Sequence, residues 1–106
     1  MVWGLLFLAG LFEIGWAIGL KYTHGFTRPW PTAATLLAMV FSFGLLAAAL
    51  KHLPVGTAYA VWTGIGAVGT AVMGMLFLGE AVTAGRVACI GLITLGIVGL
   101  KMVTPS

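Results

Sequence analysis

Residues 32–50 and 55–78 run without a charged side chain, and residues 2–20 carry only one, Glu13. A helix needs about 20 apolar residues in a row to cross the hydrocarbon of a bilayer, and these three runs supply them. A fourth run, 85–103, is charge-free only between Arg86 and Lys101. It spans if those two side chains reach outward to the headgroups. Strands do not fit these runs, because polar and apolar residues do not alternate and an open sheet in lipid leaves its edges unpaired. The pattern predicts an all-α membrane protein, with one transmembrane domain over 1–106 and helices at about 2–20, 32–50, 55–78 and 85–103.

Composition removes the soluble alternative. The chain is 61% hydrophobic and 7% charged, against about 25% charged residues in a soluble domain. A chain of 106 residues could not hide so much apolar surface in its own core, since small domains bury the smallest share of their surface. The basic residues are scattered and form no stripe that could track phosphates, so no nucleic-acid partner is expected. They read as anchors at the bilayer interfaces. The first residues lack a basic segment and Glu13 interrupts the apolar run, so a cleaved signal is not expected. Cys89 stands alone and offers neither a bridge nor a ligand set. No nucleophile–base pair, metal-ligand cluster or cofactor loop appears in the four runs, so an enzyme is the least supported class and no cofactor or metal is expected.

Four spans put both termini on one side with the second connection. That side holds Lys51 and Lys101 with the terminal amine, and the other holds Lys21, Arg28 and Arg86. Lysine and arginine in short loops set membrane orientation, and this near balance sets none. The reading adopted is that the chain inserts both ways up. Many secondary transporters bind substrate near the midplane between repeats of inverted topology. One four-helix protomer is too small to enclose and gate such a path. Two copies in opposite orientations would supply the missing repeat. Small residues let helices approach closely, as Gly15 and Gly19 could on the first helix and Gly91, Gly96 and Gly99 on the fourth.

Glu13 is the centre of the functional reading. An ionisable group inside the hydrocarbon is costly and marks a functional candidate facing the bundle interior. Such a carboxyl can hold a proton near neutral pH and give it up to admit a cation. No basic residue is expected at its depth. Trp16 lies three residues on and Gly10 three residues back. The indole could donate a hydrogen bond and present a cation–π face, though a belt position is the competing reading. Tyr59 and Trp62 repeat the three-residue spacing on the third helix and, with Glu13, would wall an anionic aromatic pocket. Ser42 could orient Glu13 through its hydroxyl, although bonding back to its own helix is the more common habit. Gly64, Gly66 and Gly69 weaken the middle of the third helix and permit either a bend or close packing. His24 and His52 fall in loops.

Three stretches now carry a resemblance: Glu13 in the first helix, Gly25-Phe26-Thr27-Arg28 in the first loop, and Pro54-Val55-Gly56-Thr57-Ala58-Tyr59-Ala60-Val61-Trp62-Thr63-Gly64-Ile65-Gly66 entering the third helix. The chain resembles the small multidrug resistance transporters over essentially its whole length. Within them it is similar to the branch that exports guanidinium, because Trp16 stands where the drug exporters usually have glycine and Gly99-Leu100-Lys101 ends the fourth helix. The resemblance implies an antiparallel, dual-topology homodimer in the bacterial inner membrane that exchanges cytoplasmic guanidinium for external protons. It implies that Glu13 binds both proton and substrate, with Trp16, Ser42, Tyr59 and Trp62 at binding positions and Gly10 lining the pocket. It places the bend at Gly64 and Gly66. The dimer seam falls on the fourth helix, where Gly96 is in place and Cys89 stands at the expected first seam glycine. Two other readings compete: an exporter of quaternary ammonium or other lipophilic cations, and an accessory membrane subunit that transports nothing alone.

Overall fold

In the computed structural model, residues 2–104 are described. They form four helices, α1 (Val2–Tyr22), α2 (Pro29–Ala49), α3 (Val55–Phe77) and α4 (Ala84–Val103), with no strand among the described residues. Their lengths, 21, 21, 23 and 20 residues, correspond to about 30–35 Å at about 1.5 Å per residue, the thickness of a hydrocarbon core. All four are long and apolar enough to cross a membrane.

The boundaries depart from the sequence expectation where local chemistry overrides hydropathy. α2 starts at Pro29, three residues earlier than expected, because proline's fixed φ and missing N–H suit a first turn. α1 continues through Lys21 to Tyr22, placing a cation at its C-terminal end, where the helix dipole favours it. α3 stops at Phe77: Leu78 and Glu80 both donate backbone N–H bonds to the Gly74 carbonyl, at 3.0 and 3.1 Å, and Gly79 takes φ +70°. The Glu80 carboxyl folds onto the bare Cα of Gly74. Thr83 caps α4, its side-chain oxygen accepting from the Arg86 N–H at 3.1 Å.

The α1–α2 connection is a left-handed turn over His24, Gly25 and Phe26, at φ 49°, 72° and 67°. Two of these are not glycine, and such a conformation costs about 1–2 kcal/mol per residue. Buried Thr23 offsets that cost. Its hydroxyl donates to the Leu20 carbonyl at 2.8 Å and accepts from the Phe26 N–H at 3.2 Å. Its carbonyl takes the N–H groups of Thr27 and Arg28.

α1 is the hub, packing against α2 and α3, while the backbone of α4 approaches only α3. The fully enclosed core is small: Leu6, Ala9, Ala49, Leu53, Ala58, Val61 and Trp62. Glycines make the helix contacts close. Ile65 of α3 sits on Gly10, Thr35 of α2 on Gly19, Ile14 of α1 on Gly69, and Ile97 of α4 on Gly64. The assembly measures 43 × 35 × 17 Å, a slab less than two helix diameters thick. Its faces are apolar. Val40 and Leu95 are about two-thirds exposed, and α4 has no buried residue. In water such a surface would drive aggregation; in lipid it is solvated.

Candidate functional site

Glu13 sits in the middle of α1 and turns its carboxyl toward α3, not toward the end of the bundle. There it lies against the bare Cα of Gly66. The groove around it holds about 220 Å³ and is lined by Glu13 and Ala17 of α1 and by Thr63, Gly66, Ala67 and Thr70 of α3. The α3 residues share a face because Thr63 and Thr70 are two turns apart. Glu13 Oε1 is buried and accepts no hydrogen bond from a described residue, and the same holds for the Thr70 hydroxyl. Among the described residues no lysine, arginine or histidine pairs with Glu13. An intramembrane carboxyl with this setting carries a cost that a structural ion pair would have removed.

Ser42 behaves differently from the expectation that it orients Glu13, and differently from the back-bonded alternative. It is fully buried. Its hydroxyl donates to the Ala9 carbonyl at 2.7 Å and accepts from the Trp62 Nε1–H at 2.9 Å. The Ala9 carbonyl is the one an α-helix pairs with the Glu13 N–H. The relay therefore ties α3 through α2 to the turn of α1 that carries Glu13, without touching the carboxyl.

The aromatic residues form one string. Trp16 of α1 meets Phe43 of α2 at 6.2 Å between centroids, Phe43 meets Trp62 of α3 at 5.6 Å, and Trp62 meets Tyr59 at 5.7 Å. Trp16 and Glu13, three residues apart, diverge: the indole faces α2 and the carboxyl faces α3. Trp16 Nε1 is buried and donates to no described residue, so the expected indole–carboxylate bond is not present. Tyr59 stands exposed at the end of the string.

Each of the two glycines assigned to a bend has a packing partner. α3 is one uninterrupted helix, with Gly64 under Ile97 and Gly66 under Glu13. Gly10 is buried beneath Ile65 at the α1–α3 contact and is not among the residues that line the groove. Gly96 faces open space on α4. Residue patterns alone did not single out Phe43, Thr63 or Thr70. For the threonines a signal existed: two hydroxyls seven residues apart on a charge-free helix. For Phe43 there was none, since phenylalanine is an ordinary lipid-facing residue.

A carboxylate beside two hydroxyls can receive N–H donors or hold a proton, and the groove is wide enough for a cation of a few heavy atoms. No group of three His, Cys, Asp or Glu side chains comes together among the described residues.

Comparison with known proteins agrees with this architecture. The small multidrug resistance protein family pattern matches residues 1–93. The guanidinium exporter of Escherichia coli strain K12 is 59% identical over 104 residues, covering 98% of this chain and 99% of that protein. The guanidinium exporters of Citrobacter freundii and Salmonella typhimurium are each 58% identical over the same coverage. A four-span chain with a lone intramembrane carboxyl, aligned end to end with these relatives, belongs to the small multidrug resistance family.

Proposed function

We propose that the chain is a proton-coupled antiporter that exports guanidinium and small guanidinyl compounds across the bacterial inner membrane, working as an antiparallel homodimer. The observation that carries this reading is the unpaired Glu13 carboxyl, seated on Gly66 at the groove between two membrane-length helices. The names of the relatives support the substrate.

Guanidinium is planar and less strongly hydrated than an ammonium ion. A carboxylate can receive its N–H groups as a fork, and the hydroxyls of Thr63 and Thr70 lie on the same groove to accept others. A protonated Glu13 offers no charge to the cation and a deprotonated one does. Proton and guanidinium therefore compete for one group. The inward proton gradient then drives release outside and loading inside. Trp16, Tyr59 and Trp62 do not line this groove within one protomer; in the dimer they would supply aromatic walls to the shared site, with Trp62 held by Ser42 and bridged to Trp16 by Phe43, and a hinge at Gly64 and Gly66 would switch access.

The slab shape supports the dimer. In a single protomer the Glu13 groove is lined by α1 and α3 alone, and a second copy of opposite orientation would close it. The glycine-thinned face of α4 around Gly96 is the seam in this reading. Reporter fusions at the carboxyl terminus test two-way insertion, and a signal from one membrane face alone rejects it.

The deciding experiment for transport is Glu13→Gln in reconstituted vesicles. The parent chain should release protons when guanidinium is added and the variant should not. Undiminished release from the variant overturns the assignment of Glu13.

A further inference from the structure

A second groove lies on the opposite side of the α1–α3 contact from Glu13, and it is built differently. α1 and α4 do not meet along their backbones, so α3 floors an open trough between them. Two adjoining cavities of about 320 and 350 Å³ occupy it and share Phe7, Ile65, Ile97 and Val98 as walls. One end is marked by Trp3 and Lys101, with the ammonium 5.5 Å from the centre of the indole. The other ends near Ile14 and Gly69. Lys101 has no carboxylate partner among the described residues.

From Trp3 to Ile14 the trough follows 11 residues of α1, about 16 Å at the α-helical rise. One leaflet of hydrocarbon is about 15 Å deep, half of the roughly 30 Å core. The trough is therefore one acyl chain long, apolar along its length and cationic at its headgroup end. We propose that it is a binding site for an anionic phospholipid, with the phosphate on Lys101, the glycerol region beside Trp3, and one acyl chain laid along Phe7, Ile65 and Val98. Charge complementarity selects this occupant. A second copy of the chain complements Lys101 poorly, since its only acidic side chains are Glu13 and Glu80. Glu13 is committed to the other groove, and Glu80 lies folded on Gly74.

The test needs no transport measurement. The purified protein is stripped of lipid and exposed to phosphatidylglycerol or phosphatidylcholine of equal chain length, and bound lipid is counted by native mass spectrometry. The parent should prefer phosphatidylglycerol by about fivefold, the effect of one basic residue on anionic lipid. Lys101→Gln should bind both equally. Val98→Trp, at an exposed position, should fill the trough and lower binding of both lipids. Val98→Ala is the companion that folds without crowding and should retain the preference. An undiminished preference in Lys101→Gln overturns the site. So does conversion of the dimer to monomer by Val98→Trp in the same mass spectra, which would show that a second protomer fills the trough.

Discussion

The carboxyl of Glu13 rests where a Cβ on Gly66 would stand, so a single methyl on α3 would displace the acid. The intramembrane carboxyl is thus seated by an absence of side chain on the neighbouring helix. Gly66→Ala tests this. Alanine favours a helix over glycine by about 1 kcal/mol, so helix propensity alone would raise stability. Crowding of a packed site costs about 1–3 kcal/mol. Because the crowded atoms are the flexible end of the Glu13 side chain, which can swing aside, the expected outcome is little change in thermal stability in detergent together with a fall in guanidinium-driven current of about tenfold or more, equivalent to about 1.4 kcal/mol. A variant that is more stable and fully active would show that the carboxyl does not need this seat.

The relay from Trp62 through Ser42 to Ala9 makes a second prediction. Ser42→Ala leaves the buried Trp62 N–H without an acceptor, a loss of about 1–3 kcal/mol. Trp62→Phe removes the same bond from the other end. If the relay is one unit, the double variant should be less destabilised than the sum of the singles, with a coupling above about 0.5 kcal/mol. Reversible unfolding in mixed micelles measures it. Strict additivity would mean that the two side chains contribute independently.

The four spans were legible because hydropathy reports directly on lipid solvation, and Glu13 stood out because the bland alternative for a lone acid in such a run, a tie to a lysine, needs a base at its depth and the sequence offers none there. Helix ends were less so. Pro29 looked like part of a loop until its fit to a first turn is considered, and the end of α3 depends on a Gly74 carbonyl that hydropathy does not register. Direction was the least legible property. Spacing put Trp16 near Glu13, yet 60° of rotation around α1 sends one to α2 and the other to α3. Ser42 was recognised as polar and central, but its partners lie 33 and 20 residues away in sequence, and no local pattern contains them.

In the proposed mechanism, competition at the Glu13 carboxyl fixes the sign of the pH dependence. Protonating Glu13 removes the charge that holds the cation, so the apparent affinity for guanidinium should weaken as pH falls. Once the carboxyl is mostly protonated, each further pH unit should raise the apparent Kd about tenfold for one competing proton. Above that range the affinity should be flat until another group titrates. Equilibrium binding of guanidinium, followed by the fluorescence of the tryptophans across a pH series, gives the curve. A pH-independent affinity, or one that improves on acidification, would reject shared occupancy of the carboxyl.

Thr70 separates a groove role from a folding role. Its hydroxyl is buried and has no partner among the described residues, and it lines the Glu13 groove. Replacing an unsatisfied buried hydroxyl with a methyl of the same shape is neutral or stabilising, so Thr70→Val should melt at or above the parent's temperature. If the hydroxyl accepts a substrate N–H, the same variant should bind guanidinium more weakly by about 1 kcal/mol, roughly fivefold. Proton binding at Glu13 should be unchanged, because the carboxyl itself is intact. Melting in detergent, guanidinium titration and proton titration on one preparation distinguish the cases. A less stable variant with unaltered guanidinium affinity would place the Thr70 hydroxyl in the packing of α3 instead of in the groove's chemistry.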